Sequence, residues 1–203
     1  METSHNNNLN ISTETKEPIF KNPYQEKHAK EEGGVLKIFI ITILIAICIR
    51  IFVAQPFVVN GESMVPTFEH GDYLIVDELS YRFTEPKRGE VIVFRFPQNP
   101  SKFFIKRIVG LPNETLEIKN NSVTVTHDGK TLILNEEYIK NYITQDKAVI
   151  LGNNEYFVMG DNRDQSSDSR MWGPVNEELV IGRVLFRFLP ITQIGIFPGK
   201  IVF

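Results

Sequence analysis

The chain has 203 residues, of which 42% are apolar and 23% are charged. These fractions are typical of globular proteins and exclude a wholly disordered, collagen-like or multi-span membrane chain. A formal net charge of -3, without a clustered excess of Lys and Arg, argues against nucleic acid as the main partner. The single cysteine, Cys48, excludes intrachain disulfides and CxxC sites, and the four histidines lack the spacing of metal ligands.

The first 34 residues form a polar segment that is rich in Asn, Glu, Lys, Ser and Thr. Such a segment cannot bury enough apolar surface to fold, so we expect a disordered tail over residues 1–34. Residues 35–54 are strongly apolar, and Lys37 and Arg50 flank a core without charge. Because both cations can extend toward the membrane surfaces, this segment supplies about 20 helical residues, or roughly 30 Å, and predicts one transmembrane helix.

Other interpretations of residues 35–54 are weaker. The polar tail is too long for the charged region of a cleaved signal peptide, and Phe52 interrupts the small-residue pattern that would end at Ala54. A lipoprotein signal requires a small residue before the cysteine, where this chain has Ile47. A buried core helix is rarely apolar on every face over such a length.

The distribution of basic residues predicts the orientation of this span. Several lysines precede or open it, whereas residues 54–81 contain no Lys or Arg. The positive-inside rule therefore places the N-terminal tail in the cytoplasm and residues 55–203 on the outer side of the cell membrane.

The outer part contains many short runs of β-branched and aromatic residues separated by turn residues, a pattern that predicts a mainly β domain. The predicted strands cover residues 73–78, 90–96, 103–109, 115–118, 122–126, 131–135, 155–160 and 180–189. His127-Asp128-Gly129 has the composition of a hairpin turn.

A first candidate for chemistry is Ser63, in the segment VVNGESMVPTF of residues 58–68. Gly61 allows close approach of the backbone to a ligand, and Pro66 stiffens the chain that follows. The Ser63 hydroxyl could therefore be presented at a turn, with its own N–H directed at an oxyanion. Taken alone, the pattern is equally that of an ordinary turn serine.

A second candidate is Lys106, in the predicted strand KFFIKRIVG of residues 102–110. Alternation places Lys106 on one face with Phe104, and Arg107 on the other face, so a cation is predicted within the core. One interpretation is an inward lysine that protects an edge strand from aggregation. The other is a lysine that burial keeps neutral, so that it can take the proton of a serine hydroxyl.

A third segment, residues 159–174, is dense in side-chain donors and acceptors. It contains residues that could form two opposite-charge pairs, and serines that could orient another polar group; these are Asp161, Arg163, Asp168, Arg170, Ser166, Ser167 and Ser169. A solvated loop is the alternative. A calcium loop is excluded because the alternating acidic spacing and the terminal Glu of an EF-hand are missing.

Three motifs in this order after one N-terminal anchor, GESMVPT, FIKRIVGLP and GDNRDQSSDSR, closely resemble the serine, lysine and C-terminal boxes of type I signal peptidases. The segment RGEVIVFR resembles a structural box of the same family, and the resemblance covers about residues 35–190. It implies a β-rich domain of antiparallel sheets in a membrane-anchored serine endopeptidase with a Ser/Lys dyad. Such an enzyme removes signal peptides from exported preproteins after small residues, and needs no metal or organic cofactor.

By the matched positions, Ser63 is the nucleophile and Lys106 is the general base. Ser166 occupies the place of the serine that orients the lysine, while Asp168 and Arg170 match a structural salt bridge. The resemblance also implies two partners, preprotein signal peptides and membrane lipids, and no nucleic acid. Candidate walls for shallow, apolar substrate pockets are Phe57, Val59, Met64 and Ile105.

The chain departs from the family pattern at two positions. Gly61 stands where some members carry a serine as an oxyanion donor, so the second donor is open. Asn113 replaces the glycine that usually follows Leu-Pro in the lysine box, and we expect a preserved turn because Asn tolerates the left-handed conformation.

Two other functions compete with this one. A Ser/His/Asp hydrolase would use His70 or His127, yet both lie in predicted exposed turns and no serine has a GxSxG setting. A membrane-tethered β domain that binds an extracellular partner without catalysis would separate Ser63 from Lys106. A sortase is excluded because the predicted outer domain lacks cysteine.

Overall fold

The computed structural model describes residues 34–46, 54–139 and 146–203. Its contacts divide the chain into two compact units, Met1–Leu44 and Ile45–Phe203. Helix α1 covers residues 34–46, and almost all of the predicted tail lies outside the described residues. Within the described ranges, no helix has both the length and the apolar character needed to cross a bilayer. The predicted span of residues 35–54 stays a prediction, since residues 47–53 lie outside the described ones.

The remainder is mainly β, as predicted. The strands are β1 (Ala54–Val58), β2 (Tyr73–Asp77), β3 (Val91–Phe96), β4 (Asn99–Gly110), β5 (Thr115–Lys119), β6 (Ser122–His127), β7 (Lys130–Ile133), β8 (Lys147–Ile150), β9 (Glu155–Met159), β10 (Val175–Asn176), β11 (Val180–Leu189) and β12 (Gly195–Ile196). A short helix, α2, covers Ser169–Trp172 and precedes β10.

All eight predicted strands are present, whereas β1, β8, β10 and β12 were not predicted. Two of these four are only two residues long, too short for any alternation to appear. Strand β1 contains a proline and directly follows the apolar span, so its residues do not form a distinct strand pattern. Ala54 was predicted to end the helix but is the first residue of β1, which corrects that boundary.

The strands form two antiparallel sheets. The larger has the order β1-β2-β11-β3-β4-β9-β10, with β12 also paired to β11, and the smaller has the order β7-β6-β5-β8. Strand β4 pairs with β3 along its length, but it pairs with β9 only from Arg107 onward. Residues 99–106 of β4 therefore have one edge that lacks a strand partner among the described residues.

Both predicted turns with left-handed residues are present. Asp128 and Gly129, with φ of 48° and 74°, connect β6 to β7. Asn113 adopts φ of 65° in the turn before β5 and so preserves the turn that a glycine would usually form. The smaller sheet has regular alternation, and its inward residues pack into one apolar cluster with β4 and β9 through Val109, Phe157 and Met159.

Candidate active site

Ser63 lies in the turn that connects β1 to β2. Two backbone hydrogen bonds, from Val59 N to Asp72 O and from Gly71 N to Val59 O, both 2.9 Å long, close this segment at its base. Met64 and Phe68 are 1% and 0% exposed, so they anchor the turn in the core. Gly61 has φ of +99°, a conformation that favours glycine, and the turn presents Ser63 half-buried beside it.

Lys106 reaches Ser63 from the middle of the larger sheet. Its side chain is on β4 and is 4% exposed, and its Nζ lies 2.7 Å from Ser63 Oγ. Nζ also donates a hydrogen bond of 2.8 Å to Ile105 O and lies 5.3 Å from the centre of the Phe104 ring. The structure thus brings together the two residues that sequence analysis placed at the centre of the chemistry.

Burial lowers the pKa of Lys106 from 10.5 to about 8. Desolvation disfavours the ammonium form, while the carboxylates of Asp168 and Asp161 oppose this effect by attracting its charge. A substantial fraction of the amine is therefore neutral near pH 8, and a neutral amine can accept the proton of a hydroxyl group.

The loop after β9 holds the Ser63 turn. Asn162 donates from its backbone N to Ser63 O at 3.0 Å and from its side-chain amide to Glu62 O at 3.1 Å. A Cβ atom at Gly160 would collide with Ser63 O and with Ser166 Oγ, so the close approach of the two segments requires glycine there.

Arg107 lies next to Lys106 but on the opposite face of β4, and it binds the loop after β9 from that face. Its guanidinium pairs with the Asp161 carboxylate through Nε–Oδ1 at 2.8 Å and Nη2–Oδ2 at 2.5 Å, and each side chain is 1% exposed. Asp161 Oδ2 also accepts a hydrogen bond of 2.5 Å from Thr67 Oγ1 of the Ser63 turn. One carboxylate therefore connects β4, the turn and the loop.

Asp168 and Arg170 form the ion pair that the resemblance implies. The Asp168 carboxylate is fully buried and accepts two bonds of 2.8 Å from the Arg170 guanidinium. It also accepts from Gly160 N at 3.0 Å, while Ser169 Oγ accepts from Val158 N at 3.0 Å. These two side chains satisfy backbone donors at and just after the end of β9, beyond its pairing with β10.

Ser166 lies in the same loop, and its hydroxyl is buried without a hydrogen-bond partner among the described residues. The hydrogen bond from Ser166 that would orient Lys106 therefore stays a prediction.

Of the two ion pairs that were expected within residues 159–174, the one between Asp161 and Arg163 is not formed. Asp161 pairs with Arg107, and Arg163 pairs with Glu136, because both side chains point toward other elements of the fold.

Sequence analysis missed Asp161 and Asn162 as residues that hold the nucleophile turn. Their partners are about 100 positions away in the chain, and no local pattern reports such contacts. His70 Nδ1 accepts a hydrogen bond of 3.3 Å from Gly61 N, and His127 is in the β6–β7 hairpin. The described hydrogen bonds pair neither histidine with a serine hydroxyl.

An open cleft of about 480 Å³ runs along the site. Ser63 and Lys106 line it together with three of the four predicted wall residues, Phe57, Val59 and Ile105. Met64 does not line the cleft; it is 1% exposed and packs in the core beneath the turn, which corrects that prediction. In the described ranges, no group of three or more His, Cys, Asp or Glu is placed to hold a metal ion.

The described hydrogen bonds include none donated by the backbone N–H of Ser63. Next to the serine hydroxyl, such a donor can stabilise an oxyanion. The site thus offers a hydroxyl, a buried amine with a lowered pKa and a backbone donor beside an apolar cleft. These are the groups that an acyl-transfer reaction requires.

The family match and the most similar named proteins point to the same protein family. The family described as "Signal peptidase, peptidase S26" matches residues 33–189. A protein named probable signal peptidase I-1 from Synechocystis sp. is 38% identical over 168 residues, which cover 79% of this chain and 84% of that protein. Signal peptidase IB from Staphylococcus aureus is 31% identical over 157 residues, which cover 70% and 81% of the two chains.

Among solved structures, a signal peptidase I from Enterococcus faecalis is 29% identical and matches with a TM-score of 0.43, over 50% of this chain and 97% of that chain. The family match covers more than three quarters of the sequence and includes all three boxes noted above. On the family match and the named relatives at 38% identity, the chain belongs to the signal peptidase family, peptidase S26, as a relative of the type I enzymes.

Proposed function

We propose that this protein is a membrane-tethered endopeptidase that cleaves signal peptides from exported preproteins, with Ser63 as nucleophile and Lys106 as general base. The observation that carries the proposal is the 2.7 Å approach of Lys106 Nζ to Ser63 Oγ, combined with the burial that lowers the pKa of the amine to about 8. This distance suits direct proton transfer.

In the acylation step, neutral Lys106 takes the proton of Ser63 Oγ while the oxygen attacks the carbonyl carbon of the scissile peptide bond. The negative charge that forms on the carbonyl oxygen is stabilised by the Ser63 N–H. The Lys106 ammonium then gives its proton to the leaving amine nitrogen. The C–N bond breaks, the mature protein leaves, and the signal peptide remains attached to Ser63 as an ester.

Deacylation repeats this sequence with water. Lys106, neutral again, takes a proton from a water molecule whose oxygen attacks the ester carbon. The lysine then returns the proton to Ser63 Oγ as the C–O bond breaks. Gly61 has no hydroxyl group, so a second oxyanion donor must come from elsewhere in the site.

The unpaired edge of β4 at residues 99–106 offers backbone groups to an extended substrate. A peptide segment that adds to this edge as a strand would lie in the cleft beside Ser63. The apolar walls formed by Phe57, Val59 and Ile105 favour uncharged side chains before the scissile bond, and the family resemblance implies that these side chains are small.

Membrane tethering is part of the proposal and is supported by the composition of residues 35–54 and by the helical conformation of residues 34–46. A protease added outside spheroplasts should then cut beyond residue 55 but spare the N-terminal tail, as the lysine distribution requires. Cleavage of the tail in intact spheroplasts would reverse the proposed orientation.

The decisive experiment is cleavage of a preprotein by the full-length, detergent-solubilised protein and by its Ser63→Ala and Lys106→Ala variants. Each substitution should lower turnover by at least about 10²-fold to 10⁴-fold, because it removes the nucleophile or the proton acceptor. Lys119→Ala, at an exposed lysine of β5, is the matched control and should keep full activity. Turnover close to normal in either dyad variant would refute the assignment of that residue, whereas a parent protein that cleaves no preprotein would favour the tethered binding domain.

A further inference from the structure

Four aromatic rings form one cluster over the sheet face that carries Lys106. Phe96 stacks on Phe104 with ring centres 4.5 Å apart, and Phe94 meets Phe104 edge to face at 6.3 Å. Trp172 completes the cluster, with its ring centre 5.7 Å from Phe96 and 6.0 Å from Phe94. Such offset and edge-to-face pairs add stabilisation beyond the area that they bury.

The strand register explains why this cluster adjoins the amine. Phe94 pairs with Phe104 across β3 and β4, and the next pair on that face is Ile92 with Lys106. Since side chains two residues apart share a face, Phe104 and Lys106 are neighbours on β4. The Lys106 Nζ lies 5.3 Å from the centre of the Phe104 ring, so one end of the aromatic cluster forms a wall against the amine.

Trp172 comes from the segment that also supplies Ser166 and Asp168. It is the last residue of α2, whose first turn is capped by Asp168, and its backbone N donates to Asp168 O at 3.3 Å. Lys147 Nζ donates at 2.6 Å to Arg170 O near the end of the same helix. The position of the indole ring is therefore set by the active-site loop itself.

The indole N–H of Trp172 is buried and has no acceptor among the described residues. A buried donor without a partner destabilises the fold, so a hydrogen bond does not explain the presence of this residue. What the side chain contributes is ring area against Phe96 and Phe94.

We propose that Trp172 is a positioning residue, which acts through Phe96 and Phe104 to keep an apolar wall against the Lys106 amine. The inference rests on the proposed role of Lys106 as the general base. The charged groups that act on the amine are the carboxylates of Asp161 and Asp168, and both favour the ammonium form. The face of the Phe104 ring also attracts the ammonium at 5.3 Å. Burial, to which the aromatic wall contributes, is the largest effect on the amine and favours its neutral form.

The test is the pH dependence of kcat/KM for the parent protein, Trp172→Ala and Trp172→Phe. Loss of the ring should admit water near Phe104. In Trp172→Ala, the midpoint of the part of the kcat/KM profile that rises with pH should therefore increase by about 0.5 to 1 pH unit. Its kcat/KM should then be about 3-fold to 10-fold below the parent value at pH 7 and should approach that value above about pH 9.5. Trp172→Phe keeps an aromatic ring and should restore most of the parental midpoint.

Ile118→Ala, in the core of the smaller sheet, is the control for a purely structural defect. It should lower the stability of the fold, as large-to-small core changes do, and leave the pH midpoint unchanged. If Trp172→Ala does not fold, Phe96→Leu tests the same wall and should move the midpoint in the same direction.

An unchanged midpoint in the folded Trp172→Ala variant would overturn the inference, and so would an equal shift in Ile118→Ala. Neither result would contradict the proposed roles of Ser63 and Lys106. The dyad itself fails if activity of the parent enzyme does not rise with pH in a way that depends on Lys106, or if Ser63→Ala or Lys106→Ala retains its activity.

Discussion

Adjacent residues of β4 place one cation on each face of the larger sheet, and the two environments differ. Arg107 is buried with a carboxylate partner, Asp161, and its remaining donors bond the carbonyl oxygens of Gly89 and Gly199. Lys106 is similarly buried, but its nearest polar partners are the neutral Ser63 hydroxyl and the Ile105 carbonyl.

The two cations differ in how the fold compensates their charge. A buried charge is tolerated when a counter-charge and hydrogen bonds compensate it, as they do for Arg107. Without a direct counter-charge, burial instead lowers the pKa, as it does for Lys106. The same strand thus holds the loop in place through one residue and offers a proton acceptor through the next.

The largest expected effect is on stability, and it tests the buried ion pair between Arg107 and Asp161. Arg107→Met should destabilise the full-length protein by about 3 to 5 kcal/mol, because it leaves the Asp161 carboxylate buried without its partner. Urea unfolding in detergent at pH 7 measures the loss. Arg107→Met combined with Asp161→Leu should recover part of it. A neutral effect of Arg107→Met alone would mean that the pair does not secure the loop.

Replacing Lys106 should change the free energy of unfolding in the opposite direction, toward greater stability. The pKa of Lys106 is about 8 in the folded protein and 10.5 in the unfolded chain, so the unfolded chain binds more protons between these values. The resulting penalty on the fold is complete below about pH 8 and disappears above about pH 10.5. Lys106→Met should therefore raise stability at pH 7 by about 3 kcal/mol while abolishing activity.

The matching measurement is urea unfolding of Lys106→Met and the parent protein at pH 7 and at the highest pH at which both remain folded. The gain should shrink as pH rises. Destabilisation at pH 7 would show that the lysine is held as a compensated charge, like Arg107.

A smaller effect concerns the loop that both faces share. Ser166→Ala should lower kcat by about 10-fold to 100-fold with little change in KM, if its hydroxyl orients Lys106 during the reaction. Single-turnover kinetics with a preprotein would separate the two parameters. Ser122→Ala is the control, since Ser122 lies in β6 of the smaller sheet and does not line the cleft. Unchanged kinetics for Ser166→Ala would remove this serine from the site.

The smallest effect is a displacement of the pH profile. Activity should rise with pH, with a midpoint near the Lys106 pKa of about 8, because the neutral amine is the active form. Phe104→Ser makes the wall more polar and should move this limb to higher pH. Replacing His70 and His127 with Gln should leave the limb in place. Its loss in that double variant would mean that a histidine, rather than Lys106, is the base.

Local patterns were sufficient to predict most strands, and the family resemblance singled out Ser63 and Lys106, whose side chains lie 2.7 Å apart in the structure. The alternation in β4 indicated that Lys106 and Arg107 lie on opposite faces, and the three boxes identified Ser63, Lys106 and the polar loop. They could not predict that Asp161 pairs with Arg107 and Thr67, since those partners lie 54 and 94 positions away. Met64 shows the same limit, because an apolar residue beside a nucleophile can face either the cleft or the core.

The amino-acid sequence by itself determined the mainly β class, the apolar N-terminal segment and the residue types available for chemistry, because these depend on composition and short-range periodicity. The 2.7 Å contact between Lys106 and Ser63, the burial that lowers the pKa of the amine and the aromatic wall ending in Trp172 required the folded chain. Each depends on segments far apart in sequence, and only packing brings such segments together and excludes water between them.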